Sequence, residues 1–412
     1  MAALNPAHAL PYLTRDLPGV GGRIKEHLPD FRVEELPLYE PAGEGTHVYF
    51  RVTKAGVTSY EAADRIARAM GVAPRDVGIA GLKDARAVAT QMMSLEYVDP
   101  GKLASYRDAQ VSVEVVARHG HKLKQGHLRA NRFTIRIRGV GAAQLDASRA
   151  VLDVLARRGV PNYFGAQRFG RRGDTAALGE ALVRDDLDQF VAIFLGRAGD
   201  DDPPDCKAAR DAFDTGFLDC CLKRWPRHYV NERKAVAAFK KKRRAADAVR
   251  AVGKRMKRLY VSACQSEIFN EVLAARIDSI DRVLAGDLAR KTDSGGVFLV
   301  EDADAEQPRA ERFEISPTGA VVGYRSRLAE GEPGRIEQDA LARHALSGEH
   351  FRRTGLVKAK GTRRALRFRL EDPALSAGTD ARGEYLALSF AAPSGCYATV
   401  ALREIMKNDP QP

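Results

Sequence analysis

The stretch of residues 78–91 constrains the fold of this chain more tightly than any other. It begins as a short apolar run, breaks at Gly81, carries the acid Asp84, and resumes apolar alternation at Ala87. Glycine permits tight or left-handed turns, and short alternating apolar runs are typical of strands. The pattern therefore predicts two strands joined by a loop, with Asp84 on the loop.

The neighbours of Asp84 support two interpretations of its role. Lys83 precedes it and Arg86 follows it closely, and opposite charges nearby favour the ionised form of a carboxylate. An ionised carboxylate on a loop can act as a nucleophile or as a general base. Alternatively, Asp84 caps a turn and pairs with these cations, which is the commoner role of a loop aspartate. The stretch alone leaves both roles open.

The length and charge of the chain indicate several domains and a polyanionic partner. With 412 residues, the chain is too long for one typical domain and suggests two or three. Lysine and arginine number 66 against 54 acidic residues, which gives a formal net charge of +12. Such an excess is typical of proteins that bind nucleic acid, although some enzymes are simply basic.

Cysteine usage and the absence of targeting signals predict a soluble protein of the cytoplasm. The five cysteines are scattered, without a C-x-x-C pair or a zinc pattern, which argues against a disulfide framework. The N-terminus lacks the basic and apolar regions of a signal peptide. No stretch approaches the roughly 20 apolar residues that span a bilayer, so no membrane association is expected.

The common motifs for cofactors and metals are missing from the sequence. There is no G-x-x-x-x-G-K-[ST] phosphate loop, no H-E-x-x-H zinc motif, no G-x-S-x-G nucleophile elbow and no zinc deaminase signature. The nine histidines do not cluster at the spacing of metal ligands. Any chemistry is therefore expected to rest on ordinary side chains.

The first elements of secondary structure are predicted from periodicity. Residues 31–36 and 47–52 each alternate apolar with polar side chains, and the turn between them predicts an antiparallel pair. On this evidence Phe31 is expected to pack in a core. Thr58 followed by Glu61 forms a capping box, which predicts a helix that ends at Gly71.

Residues 122–138 form the most basic strand-like region. Phe133, Ile135 and Ile137 alternate with polar residues, most of them arginines, so one strand face packs on a core and the other carries guanidinium groups. Those groups suit phosphate oxygens, but they also suit a solvated surface. Asn131, just before this alternation, can cap a turn or hydrogen-bond the edge of a base.

The middle of the chain is predicted to be rich in helices. An irregular block, residues 161–170, contains three aromatic side chains that either contact a ligand or anchor the block to a core. Residues 176–280 are predicted to be largely helical, including a helix over residues 231–250. That helix carries the basic run of residues 240–244, which is either a solvated face or a phosphate-binding patch. Residues 286–345 are loop-rich, and their organisation stays open.

Several sequence blocks resemble the TruD family of pseudouridine synthases. The most specific blocks are Gly-Leu-Lys-Asp at 81–84, Pro-Asn-Tyr-Phe-Gly at 161–165, Gln-Arg-Phe-Gly at 167–170 and Ser-Gly-Cys-Tyr-Ala-Thr at 394–399. Further blocks are Asp-Phe-Arg-Val-Glu-Glu at 30–35, Asn-Arg-Phe at 131–133, Ser-Ala at 262–263, Gln-Ser at 265–266 and Phe-Asn at 269–270. The blocks follow the family order, and the resemblance covers nearly the whole chain.

The resemblance implies an α+β fold with two domains. A pseudouridine-synthase-like catalytic domain with a mixed and antiparallel sheet would be interrupted by an inserted α+β domain peculiar to the family. The catalytic domain would comprise residues 1–156 and 369–412, and the insertion residues 157–368. The oligomeric state stays open, a monomer included.

The resemblance also implies a function. It indicates an isomerase that converts uridine to pseudouridine in tRNA, at position 13, without a metal or an organic cofactor. Asp84 matches the catalytic aspartate of the family, which is described as the nucleophile. Phe31, Asn131 and Tyr397 match its substrate-binding positions, and Tyr397 stands where compact members often carry phenylalanine.

Three basic residues are candidates for a supporting role at this site. Lys83 and Arg86 could keep Asp84 ionised or hold phosphate, and Lys25 is a further basic candidate nearby. Two alternatives to the implied function remain. A basic RNA-binding or chaperone module without activity also fits the net charge, although the intact Asp84 argues against it. The same isomerisation on another RNA would require the same chemistry.

Overall fold

The chain folds into an α+β structure with a mixed sheet, which confirms the expected fold class. A computed structural model describes residues 10–200, 202–353 and 358–408. No helix within these ranges is both long enough and apolar enough to cross a membrane.

Contacts within the chain divide it into two compact units. The sheet unit contains residues 14–160 and residues from Phe368 onward, and the helical unit contains residues 161–367 together with residues 10–13. The boundaries expected at 156/157 and 368/369, and the identity of the middle segment as a family-specific insertion, stay predictions.

The N-terminal part of the sheet unit supplies six strands of a large sheet. Its strands are β1 (Phe31–Pro37), β2 (His47–Ala55), β3 (Gly78–Ile79), β4 (Val88–Glu96), β5 (Val111–His119), β6 (Leu128–Arg138) and the short β7 (Val160–Pro161) at the unit boundary. Its helices are α1 (Ser59–Met70), α2 (Pro100–Ala104) and α3 (Leu145–Arg158).

The helical unit confirms the helix-rich middle of the chain and adds a four-stranded sheet. Its helices are α4 (Thr175–Val183), α5 (Leu187–Leu195), α6 (Pro204–Asp214), α7 (Leu218–Arg224), α8 (Val230–Lys242), α9 (Ala245–Ala251), α10 (Lys254–Ala275), α11 (Ala303–Glu311), α12 (Gly331–Arg343) and α13 (His350–Arg353). Its strands are β8 (Leu288–Lys291), β9 (Val297–Leu299), β10 (Ile315–Val321) and β11 (Thr362–Ala365), followed by β12 (Arg367–Phe368) at the boundary. The sheet order is β11-β10-β8-β9, which organises the segment 286–345 that the sequence left open.

The C-terminal segment completes the sheet unit. It consists of β13 (Glu371–Asp380), β14 (Gly383–Pro393) and α14 (Ala398–Met406). The eight-stranded sheet has the order β13-β14-β6-β1-β4-β2-β5, with β3 paired to β4. β1 and β4 run parallel, and the other ladders of this sheet are antiparallel.

The predicted antiparallel pair of β1 and β2 is wrong, because β4 lies between them. Val33 on β1 is opposite Ala89 of β4, whereas Val52 on β2 is opposite Gln91 of β4. The middle of β4, residues 91–95, is buried without interruption, as suits a strand inside a sheet. Because β4 is buried on both faces, it lies between β1 and β2. The local turn pattern between β1 and β2 does not reveal this strand order.

The predicted helix α1 is confirmed by its caps. Thr58 accepts a hydrogen bond from the Glu61 backbone N–H at 3.1 Å, and Gly71 ends the helix with φ of 76°. The apolar face of the helix places Ile66 in one core with Phe50 of β2. This helix lies directly after β2 and therefore supports the part of the sheet that carries the loop of Asp84.

The helix predicted over residues 231–250 is two helices. Arg243 adopts a left-handed conformation with φ of 53°, which ends α8 before α9 begins at Ala245. Like charges three and four residues apart destabilise a helix, so the basic run of residues 240–244 favours this break. Its side chains are exposed.

Arg138 fixes the segment that precedes β1. Its buried guanidinium donates to Asp30 at 2.5 and 3.1 Å and to Asp380 at 2.8 and 2.9 Å. Its backbone N–H donates to the carbonyl of Arg23 at 2.7 Å and its carbonyl accepts from the Arg23 N–H at 2.9 Å. Burial raises the pKa of Asp30, but the hydrogen bonds and charge of Arg138 outweigh burial and leave that pKa below its ordinary value. The segment 23–30 is thereby held against β6.

Replacement of Arg138 by methionine should lower the free energy of unfolding by about 3–5 kcal/mol at pH 7, because Asp30 would remain as a buried, unpaired charge. The deficit should shrink below about pH 4, where protonation of Asp30 removes the penalty. Urea unfolding of the wild type and the variant at pH 7 and below about pH 4 measures the difference in the free energy of unfolding. The control Glu114→Gln breaks an exposed pair with Arg51 and should cost less than about 1 kcal/mol. Equal losses of unfolding free energy in the two variants would contradict the structural role of the pair between Arg138 and Asp30.

Candidate active site

The loop of Asp84 joins β3 to β4, as the sequence predicts. These strands pair antiparallel, with Gly78 opposite Ser94, so the loop closes over their end. Because β4 runs parallel to β1, with Val88 opposite Arg32, the loop enters β4 at the end of the sheet where β1 begins. Asp84 therefore lies beside the start of β1.

The carboxylate of Asp84 is held by Lys25. Lys25 Nζ donates to Asp84 Oδ2 at 2.9 Å, and Lys25 itself adopts a left-handed backbone conformation with φ of 56°. The Lys25 side chain is 3% exposed, whereas that of Asp84 is 45% exposed. A buried cation thus orients a carboxylate that a molecule from solvent can still reach.

Lys83 points away from Asp84, which corrects the expectation that it could hold this carboxylate. Its Nζ lies 2.6 Å from Glu35 Oε2, and both side chains are almost fully buried. The second oxygen of Glu35 accepts a hydrogen bond from the Met92 backbone N–H at 3.2 Å. The pair therefore anchors the loop to β1 and β4 instead of pairing with the exposed acid.

Arg86 approaches the segment that carries Lys25, whereas Lys83 pairs with Glu35 of β1. Its guanidinium is 3.5 Å from the backbone carbonyl of Lys25, at the limit of a hydrogen bond, and its side chain is exposed. It thus borders the segment that carries the partner of Asp84.

Lys54, which the sequence analysis missed, fixes the backbone of the loop. Its Nζ is fully buried and donates to the carbonyls of Val57 and Asp84 at 2.7 Å each, and to that of Lys83 at 3.3 Å. Burial lowers the pKa of this ammonium to about 8, although the charge of Asp84 opposes the shift. The signal was present in the sequence: Lys54 continues the inward-facing positions of β2 after Val52, where an apolar residue is expected.

Ser59 and Gln91 hold the other backbone groups of the loop. The Lys83 N–H donates to Ser59 Oγ at 2.9 Å, and Ser59 in turn donates to Gln91 Oε1 at 2.6 Å. Gln91 Nε2 donates to the carbonyl of Gly81 at 3.1 Å. Backbone groups from Gly81 to Asp84 are therefore fixed by three buried polar side chains, so the loop is preorganised.

Phe31 lies under Lys25 and is buried. The Lys25 ammonium is 4.7 Å from the centroid of the Phe31 ring, which packs edge-on against Phe133 at 6.1 Å. With 2% of its surface exposed, Phe31 supports the cation. The expected core role is confirmed, and a contact with substrate stays a prediction.

Asn131 lies on β6 opposite Glu35, so its side chain shares a sheet face with the Glu35–Lys83 pair. Among the described residues, its oxygen Oδ1 is shielded from solvent and has no hydrogen-bond partner. An unpaired buried acceptor costs about 1–3 kcal/mol, so a donor that reaches it would be bound favourably. Asn131 lies inside strand β6, so it does not cap a turn, and its contact with a base stays a prediction.

Tyr397 follows β14 and directly precedes α14. Pro393, at the end of β14, is opposite Ala130 of β6, which brings the following turn to the end of β6 where Asn131 lies. The Tyr397 side chain is half-buried. The sheet therefore places Tyr397 near the end of β6 that carries Asn131, whereas Lys25 contacts Asp84 directly and Phe31 lies under Lys25.

The aromatic block of residues 161–170 anchors the helical unit. Tyr163, Phe164 and Phe169 are buried. The backbone N–H of Phe164 donates to Asn270 Oδ1 at 2.8 Å, and Asn270 Nδ2 returns a hydrogen bond to the Phe164 carbonyl at 2.9 Å. Of the two interpretations of this block, the structure favours anchoring.

Metal clusters are absent from the part of the chain that the structure describes. There, no group of three or more histidine, cysteine, aspartate or glutamate side chains is arranged to hold a metal ion. The candidate site consists of a carboxylate, buried lysines and the amides and hydroxyls that fix them.

Replacement of Lys54 by methionine should change how stability depends on pH. The pKa of Lys54 is about 8 in the folded chain and about 10.5 when unfolded, so between these values the folded state binds fewer protons. The wild type should therefore gain stability relative to Lys54→Met from pH 8 to pH 10.5, on the order of 3 kcal/mol. Chemical unfolding at pH 7.5 and pH 10 measures the gain, with the exposed Lys102→Met as control. A stability difference between the wild type and Lys54→Met that does not vary with pH would refute the lowered pKa of Lys54.

Comparison with known proteins places the chain in a family. A profile described as tRNA pseudouridine synthase D (TruD) matches residues 8–405. Proteins named tRNA pseudouridine synthase D from Geobacter metallireducens and Geobacter sulfurreducens are each 44% identical to this chain, over 397 and 401 residues, and each alignment covers at least 96% of both chains. One of the same name from Anaeromyxobacter dehalogenans is 40% identical over 405 residues, with 97% of both chains covered.

A solved structure has the same fold. The crystal structure of a Methanosarcina mazei protein assigned to TruD matches this chain with a TM-score of 0.84 at 27% identity, and the match covers 97% of this chain and 96% of the other. The family profile, the curated relatives and the fold agree over nearly the whole length. The chain belongs to the TruD family of tRNA pseudouridine synthases.

Proposed function

We propose that this protein converts uridine to pseudouridine in tRNA, at position 13, with Asp84 as the catalytic residue. The observation that supports the proposal best is the carboxylate of Asp84, 2.9 Å from the buried Lys25 ammonium and 45% exposed, in a chain of this family. A cytoplasmic location fits a tRNA substrate.

The reaction is an isomerisation, so no atom is gained or lost. The bond between the ribose carbon and the base nitrogen breaks, the base rotates, and a carbon of the same base forms the new bond to the ribose. The proton on that carbon is released, and the freed nitrogen takes up a proton. The reaction needs no redox partner and no group donor.

Asp84 acts directly on the nucleoside, as a nucleophile or as a base. Both roles require a carboxylate oxygen that faces the substrate, and the exposure of Asp84 provides one. Lys25 holds the other side of the group in place, and Lys54 fixes the backbone beneath it. The reacting group is therefore positioned before the substrate binds, which lowers the cost of reaching the transition state.

The uridine must leave its stack to reach Asp84, at a cost of a few kcal/mol. Tyr397 can stack on the base or pack on the ribose, and Phe31 can contact the base after a local shift of Lys25. The unpaired Oδ1 of Asn131 can accept a hydrogen bond, and the imide N–H of uracil is a donor of the required kind. Together these contacts offset the cost of unstacking.

Replacement of Asp84 by asparagine should abolish pseudouridine formation, with a fall in kcat of roughly a thousandfold or more, because an amide neither attacks nor accepts a proton as a carboxylate does. Pseudouridine in an unmodified tRNA transcript is measured by mass spectrometry, and thermal unfolding confirms that the variant folds. Glu114→Gln, an exposed acid on β5, should retain activity within about twofold. Modification at the wild-type rate by Asp84→Asn would show that the assignment is wrong.

Two other functions have distinct outcomes in the same assay. An RNA-binding module without activity would bind the transcript and leave its uridines unchanged. An enzyme that acts on another RNA would leave position 13 unmodified in cells, and mapping of pseudouridine with and without the protein would reveal its target.

Glutamine at Lys240, Lys241 and Lys242 should weaken tRNA binding and reduce its dependence on salt, because each phosphate that a lysine neutralises releases counterions. The slope of log Kd against log salt should fall by roughly 0.7–0.9 for each phosphate that is no longer neutralised. The control is Lys207→Gln, another exposed lysine of the helical unit that pairs with Asp200. An unchanged slope would identify the run as an ordinary solvated face.

A further inference from the structure

A cavity of about 580 Å³ opens beside the loop of Asp84, within the sheet unit. Its walls come from the start of α1, from the segment before and within β3, from the loop itself and from the segment before β6. Tyr60, Asp64, Arg75, Leu82, Lys122 and Lys124 are among the residues that line it. A volume of this size accommodates a ligand as large as a nucleotide.

The walls of the cavity combine exposed apolar side chains with positive charge. Tyr60 is 58% exposed and Leu82 is 53% exposed, so both side chains are accessible to a ligand from solvent. Arg75, Lys122 and Lys124 line the same cavity. Lys122 Nζ donates to the backbone carbonyl of Arg75 at 2.6 Å, which keeps its ammonium near the cavity.

The negative charge in the lining is already compensated. Asp64 is the acidic residue among the lining residues, and its carboxylate forms an ion pair with Arg68 on the next turn of α1. The cavity therefore presents a net positive surface with an aromatic ring and an aliphatic side chain. This combination suits a nucleotide, whose base stacks and whose phosphate is an anion.

The loop connects this cavity to the reacting group. Leu82 and Asp84 are exposed, whereas Lys83 between them is buried against Glu35. Leu82 and Asp84 are two residues apart, and two residues of chain span at most about 7 Å. Because Lys54 and Gln91 fix the loop, the spacing between the cavity and the carboxylate is fixed as well.

We propose that the cavity is a subsite for a nucleotide next to the target uridine on the same RNA strand. The base stacks on Tyr60 and packs on Leu82, and Lys122 and Lys124 neutralise its phosphate. The inference rests on the proposed function and extends it from a single flipped uridine to the uridine with its neighbour. The subsite holds the strand while the uridine is extruded, and Arg75 adds positive charge at the cavity wall.

Tyr60→Ala tests the stacking contact. The loss of one base stack should raise the KM for an unmodified tRNA transcript, and the Kd for RNA, by roughly five- to 100-fold. Tyr60→Phe, which keeps the ring, should stay within twofold of the wild type. The control Tyr97→Ala removes a tyrosine that is 79% exposed and does not line the cavity, and it should have no effect.

Lys124→Gln tests the charge separately. It should lower the affinity for RNA and reduce the dependence of log Kd on log salt. The control is Lys102→Gln, which changes another exposed lysine. Thermal unfolding of each variant shows that the fold is intact. Values for Tyr60→Ala and Lys124→Gln within twofold of the wild type would overturn the subsite.

An abasic nucleotide at each position beside the target uridine identifies the bound neighbour. At one of these positions, Tyr60→Ala should have no further effect, because the base that stacks on Tyr60 is already missing. Equal effects of Tyr60→Ala on all transcripts would refute the stacking contact. The proposed function fails separately: wild-type protein that forms no pseudouridine refutes the activity, while the Kd still reports on the subsite.

Discussion

One buried ammonium supports the candidate active site. Lys54 is removed from solvent, and a buried charge is costly unless its hydrogen bonds are satisfied. Backbone carbonyls satisfy it, two of them from Lys83 and Asp84. The hydrogen bonds that offset the cost of burying Lys54 also fix the backbone of the loop. The orientation of the exposed Asp84 carboxylate depends on this fixed backbone. An apolar side chain of the same size would leave those carbonyls without this donor, and of the three side chains that fix the loop only Ser59 and Gln91 would still hold its backbone.

Three buried lysines at the site have three different structural roles. Lys54 holds backbone, Lys83 holds Glu35 in the sheet, and Lys25 holds the carboxylate that faces solvent. Only the last of these three cations has a partner that is exposed, so solvent access distinguishes the proposed catalytic carboxylate of Asp84 from the buried structural groups. Arg138 supports the arrangement from a distance, because its pairing with Asp30 holds the segment that carries Lys25. The position of Asp84 therefore depends on charges that lie on several elements of the sheet unit.

The sequence predicted what local patterns determine and missed what distant residues determine. Glycine and the flanking apolar runs placed Asp84 on a loop, and the caps at Thr58 and Gly71 bounded α1 correctly. The prediction that β1 pairs with β2 was wrong because the partner of β1 is β4, a buried strand more than fifty residues away in the sequence. Likewise, Lys83 is adjacent to Asp84 in sequence, but extended backbone turns alternate side chains in opposite directions, and its charge is used elsewhere.

The order of strands has a consequence for how the protein is made. β6 pairs on one side with β1 and on the other with β14, which begins at Gly383. At about 5–20 residues per second, synthesis from the end of β6 to β14 takes on the order of 10–50 s, during which that edge of β6 has no native partner. The nascent chain must therefore keep an open strand edge from pairing with other chains. Tyr397 follows β14, so a chain that ends before β14 contains Asp84 but not Tyr397.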